Sequence, residues 1–249
     1  MLPRVLVVLL LGLLYAWVIF STVPYRRQVV QSQSANDYYK LLDWQLSNAQ
    51  LDYARVLQNS KVSSEEFLDT EERLAMLLWE KRAFFQAIER FKDMIVKLEA
   101  EKNAGYSERW VKTTLKLAGL YRDVNNWDES EKAYKAVLAY DDEKIGRDKP
   151  MDARLARDHN NLGLFYYMKG NTQKDESIRA LLLKQAADEL YLAIAKYRAS
   201  GNVDSGAEGN SLWNLFLVLR DSGKVAEAEG IKARAEEIDR KMNRPCKAP

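Results

Sequence analysis

From Asp37 onward the apolar residues of this chain recur at intervals of three and four, as in Leu41, Leu42, Leu46, Ala49, Tyr53, Val56 and Leu57. That is the period of a helix with one buried face, and no stretch alternates with the period of two that marks a strand. A second helix is predicted to start at "SSEE", where Ser63 and Glu66 have the spacing of a capping box. The same pattern continues to the C-terminal region, so the chain reads as all-α. Residues 5–23, "VLVVLLLGLLYAWVIFSTV", behave differently: nineteen residues pass without a charge. As a helix they would be about 28 Å long, close to the roughly 30 Å hydrocarbon core of a bilayer. The competing reading, a cleaved signal peptide, has an apolar core of about 7–15 residues and a small-x-small site. Trp17 and Phe20 stand where small residues are wanted, although Ser21 with Ile19 is a tolerable site. The lengths favour an uncleaved, single-pass anchor. Arg4 on one side and Arg26 and Arg27 on the other leave the side of the remaining chain open.

Internal self-similarity organises the rest. "LAMLLWEKR" from Leu74, "LAGLYRDVN" from Leu117, "LGLFYYMKG" from Leu162 and "LFLVLRDSG" from Leu215 align. Each opens on Leu, continues with Ala, Gly or Phe, and places a large apolar residue three further on: Leu78, Tyr121, Tyr166 and Leu219. A turn follows, marked by Asn125, Gly170 and Gly223 in three copies. A second helix then carries a small residue and, four later, an aromatic: Ala87 with Phe91, Ser130 with Tyr134, Ala187 with Tyr191. In the last copy Ala228 is followed by Lys232, and the aromatic is missing. A glycine inside a helix costs roughly 1 kcal/mol against Ala, so Gly163 is expected to lie where another helix packs closely.

This pattern resembles the tetratricopeptide repeat (TPR), in which small residues let paired helices approach and large ones fill the gaps between hairpins. The spacings of 43, 45 and 53 residues between successive Leu positions, with "NNLG" and "GKVAEAE", look more like the longer repeats of kinesin light chains. The resemblance covers roughly Asp69 to Arg240 and implies a right-handed TPR-type helical-hairpin solenoid, here preceded by a single transmembrane helix. The expected organisation is an anchor or signal sequence at 1–24, a polar tether at 25–36, a capping helix at 37–62, about four repeats at 63–242 and a tail at 243–249. Twelve extra residues separate Gly170 from Ala187, compared with the spacing from Gly223 to Ala228. They predict a lengthened or split second helix in the third repeat, capped by Asp175, with Ile178, Leu181 and Leu182 as its apolar positions.

Composition narrows the function. Lys and Arg number 38 against 36 acidic residues, so no strongly basic face points to nucleic acid. The one cysteine, Cys246, excludes an internal disulfide and a thiolate metal site. The only histidine, His159, has no companions: HExxH, GxSxG, Walker and Cys/His patterns are all missing. It is expected to be a partly exposed helix residue. The acidic pairs Glu71/Glu72 and Asp141/Asp142 point apart on a helix and read as solvated faces. No enzyme, cofactor or metal site is therefore expected.

Repeats of this kind bind partners on the surface lined by the first helix of each hairpin. By resemblance to peptide-binding members, the residue before each Leu position contacts the ligand backbone, which gives Arg73, Lys116, Asn161 and Asn214. Asn suits the task because its amide offers both donors and an acceptor. Adjacent candidates are Trp79, Lys112, Arg122, Arg157, Asn160, Tyr167 and Arg220. Their basic character points to a protein or peptide partner with an acidic segment. The expected function is a membrane-anchored adaptor with residues 5–23 in the bilayer. The alternative is a constitutive structural or assembly subunit that docks through the convex face and the 171–186 insertion. The sequence sets no oligomeric state.

Overall fold

The computed structural model describes residues 34–59, 62–101, 106–145 and 153–243. Among them every regular element is a helix: α1 (34–58), α2 (Ser64–Glu80), α3 (Phe84–Glu101), α4 (Tyr106–Asp123), α5 (Trp127–Ile145), α6 (Ala153–Asn171), α7 (Glu176–Ala199), α8 (Gly206–Asp221) and α9 (Val225–Lys241). The chain divides into two compact units, Met1–Ala83 and Phe84–Pro249.

In the first unit α1 and α2 run antiparallel. Leu42, Ala49 and Val56 are buried at seven-residue steps along α1, and Leu68, Leu74, Ala75 and Leu78 are buried on α2. Cross-links at successive heights fix the register: Lys81 to Asp43 at 2.5 Å, Arg73 to Asp52, and the Tyr53 hydroxyl donating to Glu71 at 3.3 Å. Ser63 caps α2 by accepting from the Glu66 amide at 3.2 Å, as its spacing predicts.

The second unit is built from the hairpins α4/α5, α6/α7 and α8/α9; α3 packs on α4, α5 on α6, and α7 on α8. Ala87, Ser130 and Gly163, the small positions, are all buried, and so are Phe91 and Tyr134. The Ser130 hydroxyl donates to the Ala118 carbonyl at 2.8 Å, tying α5 to α4. A Cβ at Gly163 would lie 2.7 Å from Leu190 Cγ and 3.1 Å from the Ala186 carbonyl oxygen, so α6 and α7 touch there nearly backbone to backbone. The small–large pair of α7 is thus Ala186 with Leu190, one residue before the predicted Ala187 and Tyr191. Ala187 is still buried, but Tyr191 is 38% exposed and its hydroxyl bonds to Glu227.

One stop signal recurs. In the first, second and fourth copies a residue in the left-handed region ends the helix, namely Arg82 (φ 60), Asn125 (φ 59) and Gly223 (φ 78). The next amide then bonds to the carbonyl of Leu78, Tyr121 or Leu219 at 2.8–2.9 Å. In the third copy Gly170 does not make this turn. It is helical and buried near the end of α6, where a Cβ would stand only 3.3 Å from Leu182 Cβ. The turn falls instead at 172–175, so both helices of this hairpin are extended. The second helix is lengthened rather than split: α7 is one helix of 24 residues, and Asp175 caps it by accepting from Ser177 and Ile178 amides at 2.8 and 3.1 Å. Of the three predicted apolar positions only Leu182 is buried.

Two expectations are overturned. Glu71 and Asp141 are not solvated but fully buried, because partners on other helices, Tyr53 and Arg157, reach them. The single-pass membrane localisation is also corrected: among the described residues no helix is long and apolar enough to cross a membrane. Residues 5–23, on which that expectation stood, lie outside the described residues.

Candidate functional site

Residues seven apart on a helix share a face, and this places Asn160 and Tyr167 of α6 beside Ser211, Asn214 and Asp221 of α8. Asn160 Oδ1 accepts from Ser211 Oγ at 2.9 Å and from Asn214 Nδ2 at 3.1 Å. Two turns along, the Tyr167 hydroxyl donates to Asp221 at 2.7 Å, and Arg220 Nε donates to the other Asp221 oxygen at 3.0 Å. Burial raises the Tyr167 phenol above its usual range, reinforced by the hydrogen bond to Asp221. The strip exists because α6 touches α8 directly as well as through α7. Among the described residues the Asn160 amide nitrogen, the Asn214 carbonyl oxygen and the whole of the half-buried Asn161 side chain have no partner. Donors and an acceptor therefore remain for a ligand.

Five of the eleven predicted positions (Asn160, Asn161, Tyr167, Asn214 and Arg220) come together along α6 and α8. Arg73 and Trp79 belong to α2 in the first unit, where Arg73 pairs with Asp52. Lys112, Lys116 and Arg122 lie on α4. Lys112 pairs with Glu108 at 2.7 Å within its own helix, and Arg122 with Asp123 at 3.1 Å. Arg157 bridges Asp141 of α5, at 3.1 Å, and its neighbour Asp158, at 2.8 Å. These guanidinium groups already face carboxylates of the chain itself.

At the Arg157 junction the electrostatics depart strongly from solution. Asp141 and Asp158 are both buried and share one guanidinium, and Asp158 Oδ2 is buried without a hydrogen-bond partner. Burial, partly offset by Arg157 and reinforced by Asp141, pushes the Asp158 carboxyl up to about 7. His159, a partly exposed helix residue as its sequence suggested, pairs its Nδ1 with Glu189 of α7 at 2.6 Å. Among the described residues no cluster of His, Cys, Asp and Glu could hold a metal ion.

Sequence reasoning missed Ser211 and Asp221, whose roles depend on which hairpins stack. It also missed a notch of about 420 Å³ between α7 and the α8–α9 turn. Ala180, Leu183, Ala187 and Leu219 supply its apolar lining, with Arg179 and Lys224 among the charged residues around it. It forms because α7 is longer than the neighbouring α8.

No protein-family profile and no curated protein matches the chain. Solved structures do. BtubC (BKLC) from P. vanneervenii matches 87% of this chain and 79% of its own, with 22% identity and a TM-score of 0.61. A putative kinesin light chain of Podosopora anserina with nearly identical TPR-like repeats matches 84% of this chain and 97% of its own, with 15% identity and a TM-score of 0.60. The Rap conjugation gene regulator of plasmid pLS20, solved in complex with the Phr* peptide, matches 84% of this chain and 52% of its own, with 15% identity and a TM-score of 0.52. Together with the helical hairpins and their small–large packing, these likenesses establish a TPR-type helical-repeat fold.

Proposed function

We propose that the second unit is a protein-binding scaffold that holds an extended peptide segment of a partner along α6 and α8. The observation that carries this reading is the unsatisfied amide chemistry at Asn160, Asn161 and Asn214, set on helices rigidly bonded to each other. A peptide group needs one acceptor for its N–H and one donor for its C=O, and these side chains offer both. The Rap regulator, similar in fold, was solved with a peptide bound, which supports the same use here. The acidic segment expected from the sequence is not needed, because the guanidinium groups that suggested it are engaged by internal carboxylates. The function proposed is binding and not catalysis.

The test is affinity capture from the native cell extract with the full chain and with Asn161→Ala/Asn214→Ala, after circular dichroism shows both equally helical. Recovery of the specific partner is expected to fall about tenfold or more, as loss of two hydrogen bonds of about 1 kcal/mol each implies. Undiminished recovery refutes the groove. The notch beside α7 favours a second reading, a structural subunit docked there constitutively. A partner kept by the double Asn variant and lost on Ala180→Arg would support that role instead.

A further inference from the structure

The α7 helix is apolar on two opposite faces. One, with Leu183, Ala186, Leu190, Ile194 and Tyr197, is buried in the second unit. The other faces solvent and carries Ile178, Leu181 and Leu192, which are 48%, 57% and 47% exposed. Along that outer face Ile178, Leu181, Gln185, Asp188, Leu192, Ala195 and Ala199 follow one another at alternating steps of three and four. Such alternation is the seam spacing by which two helices interlock side by side. A single helix displaying this seam needs a second helix to cover it.

The seam matches itself when read in reverse. With two copies antiparallel about a two-fold axis between Ala186 and Ala187, Leu181 lies opposite Leu192, the large Ile178 opposite the small Ala195, and Gln185 opposite Asp188. Each layer then occurs twice, as a closed two-fold interface requires. The Gln185–Asp188 layer joins an amide donor to a carboxylate acceptor. Lys184, beside the seam, comes next to Asp188 of the other copy. Among the described residues neither the Lys184 ammonium nor the Asp188 carboxylate has a partner within its own chain. Both would gain one twice over in the pair, and a parallel arrangement would instead oppose like charges.

We propose that α7 is a self-association surface, through which two copies of this chain pack antiparallel with Leu181 against Leu192 and Lys184 against Asp188. This does not depend on the peptide-binding reading, since α6 and α8 lie on the other side of α7. Six half-exposed apolar side chains fall short of the roughly 1,200–2,000 Å² of a standard stable interface. The dimer is therefore reversible, with a dissociation constant in the micromolar range.

Sedimentation of the full chain in a mild nonionic detergent, across the micromolar range, tests this. The wild-type chain is expected to pass from monomer to dimer. Leu181→Glu should weaken dimerisation by about 100-fold, because it sets a carboxylate against Leu192. Lys184→Glu should weaken it about tenfold, and Lys184→Glu/Asp188→Lys, which reverses both members of the cross-pair, should restore it. A wild-type chain that stays monomeric overturns the proposal. So does association unchanged by Leu181→Glu, which would place the contact away from the outer face of α7. Failure of the charge swap to recover what Lys184→Glu loses overturns the antiparallel register.

Discussion

Replacing Gly163 by Ala puts two effects of opposite sign in direct competition. In a free helix the change is favourable by about 1 kcal/mol, because Ala loses less backbone freedom on folding. At this position the new methyl would stand 2.7 Å from Leu190 Cγ and 3.1 Å from the Ala186 carbonyl oxygen, both under ordinary van der Waals contact. Neither can step aside. Leu190 is fully buried, the carbonyl belongs to the α7 backbone, and the next cross-over of the same two helices at Gly170 is also tight. Forcing extra volume into a packed core costs about 1–3 kcal/mol, so the net change is a destabilisation of about 1 kcal/mol. Gly230 supplies the internal control: it sits mid-α9, is exposed, and has nothing within 4 Å of the position its Cβ would take. Gly230→Ala should therefore stabilise by about 1 kcal/mol. Urea-unfolding midpoints of the two variants and the parent measure both signs in one experiment. If Gly163→Ala raised the midpoint as Gly230→Ala does, close packing would not be the reason for the glycine.

Two further substitutions test the buried polar groups. Asp158 is raised to about 7 in the fold, against an ordinary value of 3.8, so the folded chain holds its proton more tightly than the unfolded chain. Its contribution is then fully present below about pH 4, declines as pH rises toward 7 and is lost above. Asp158→Asn should flatten the fall in urea midpoint between pH 5 and 7, and a slope identical to the parent's would refute the assignment. The Trp213 Nε1–H donates to the buried Asp239 carboxylate at 2.9 Å, joining α8 to α9. Trp213→Phe keeps an aromatic ring and removes that donor, which should cost about 1–3 kcal/mol. An unaltered thermal midpoint would count against the bond.

What the sequence makes legible depends on how local the cause is. Asn125 and Gly223 mark turns because a left-handed residue must end the helix there, and each does so within five residues of chain. Gly170 carries the same letter for another reason, close approach of Leu182, and a sequence cannot separate the two uses of glycine. The misplaced Tyr191 has a similar origin. Ala186 and Ala187 are adjacent and equally small, so pattern alone could not choose the one facing Gly163. Glu71 and Asp141 failed differently: a carboxylate looks solvated until its partner is placed, and those partners arrive from other helices. For the same reason Asn160 and Asn214 could be named as candidates while their mutual bond, and the part of Ser211 and Asp221 in the strip, could not.

The third hairpin shows why an insertion here adds helix and not loop. Gly163 and Gly170 lie seven residues apart on one face of α6, so close contact with α7 is kept over two turns of helix. Extra residues placed at that end extend both helices while preserving the contact, and Leu182 and Leu183 are buried by it. The same added turns must also show a face to the outside, because α6 can cover only one side of α7. That outer face could have been charged, as Glu176 and Lys184 show on the same helix, but Ile178 and Leu181 occupy it instead. Nothing in the fold of a single chain requires apolar residues there, since the buried face already holds α7 in place. Their placement at seam spacing is accounted for by a second helix, which is why the length of α7 and its self-matching outer face are best understood together.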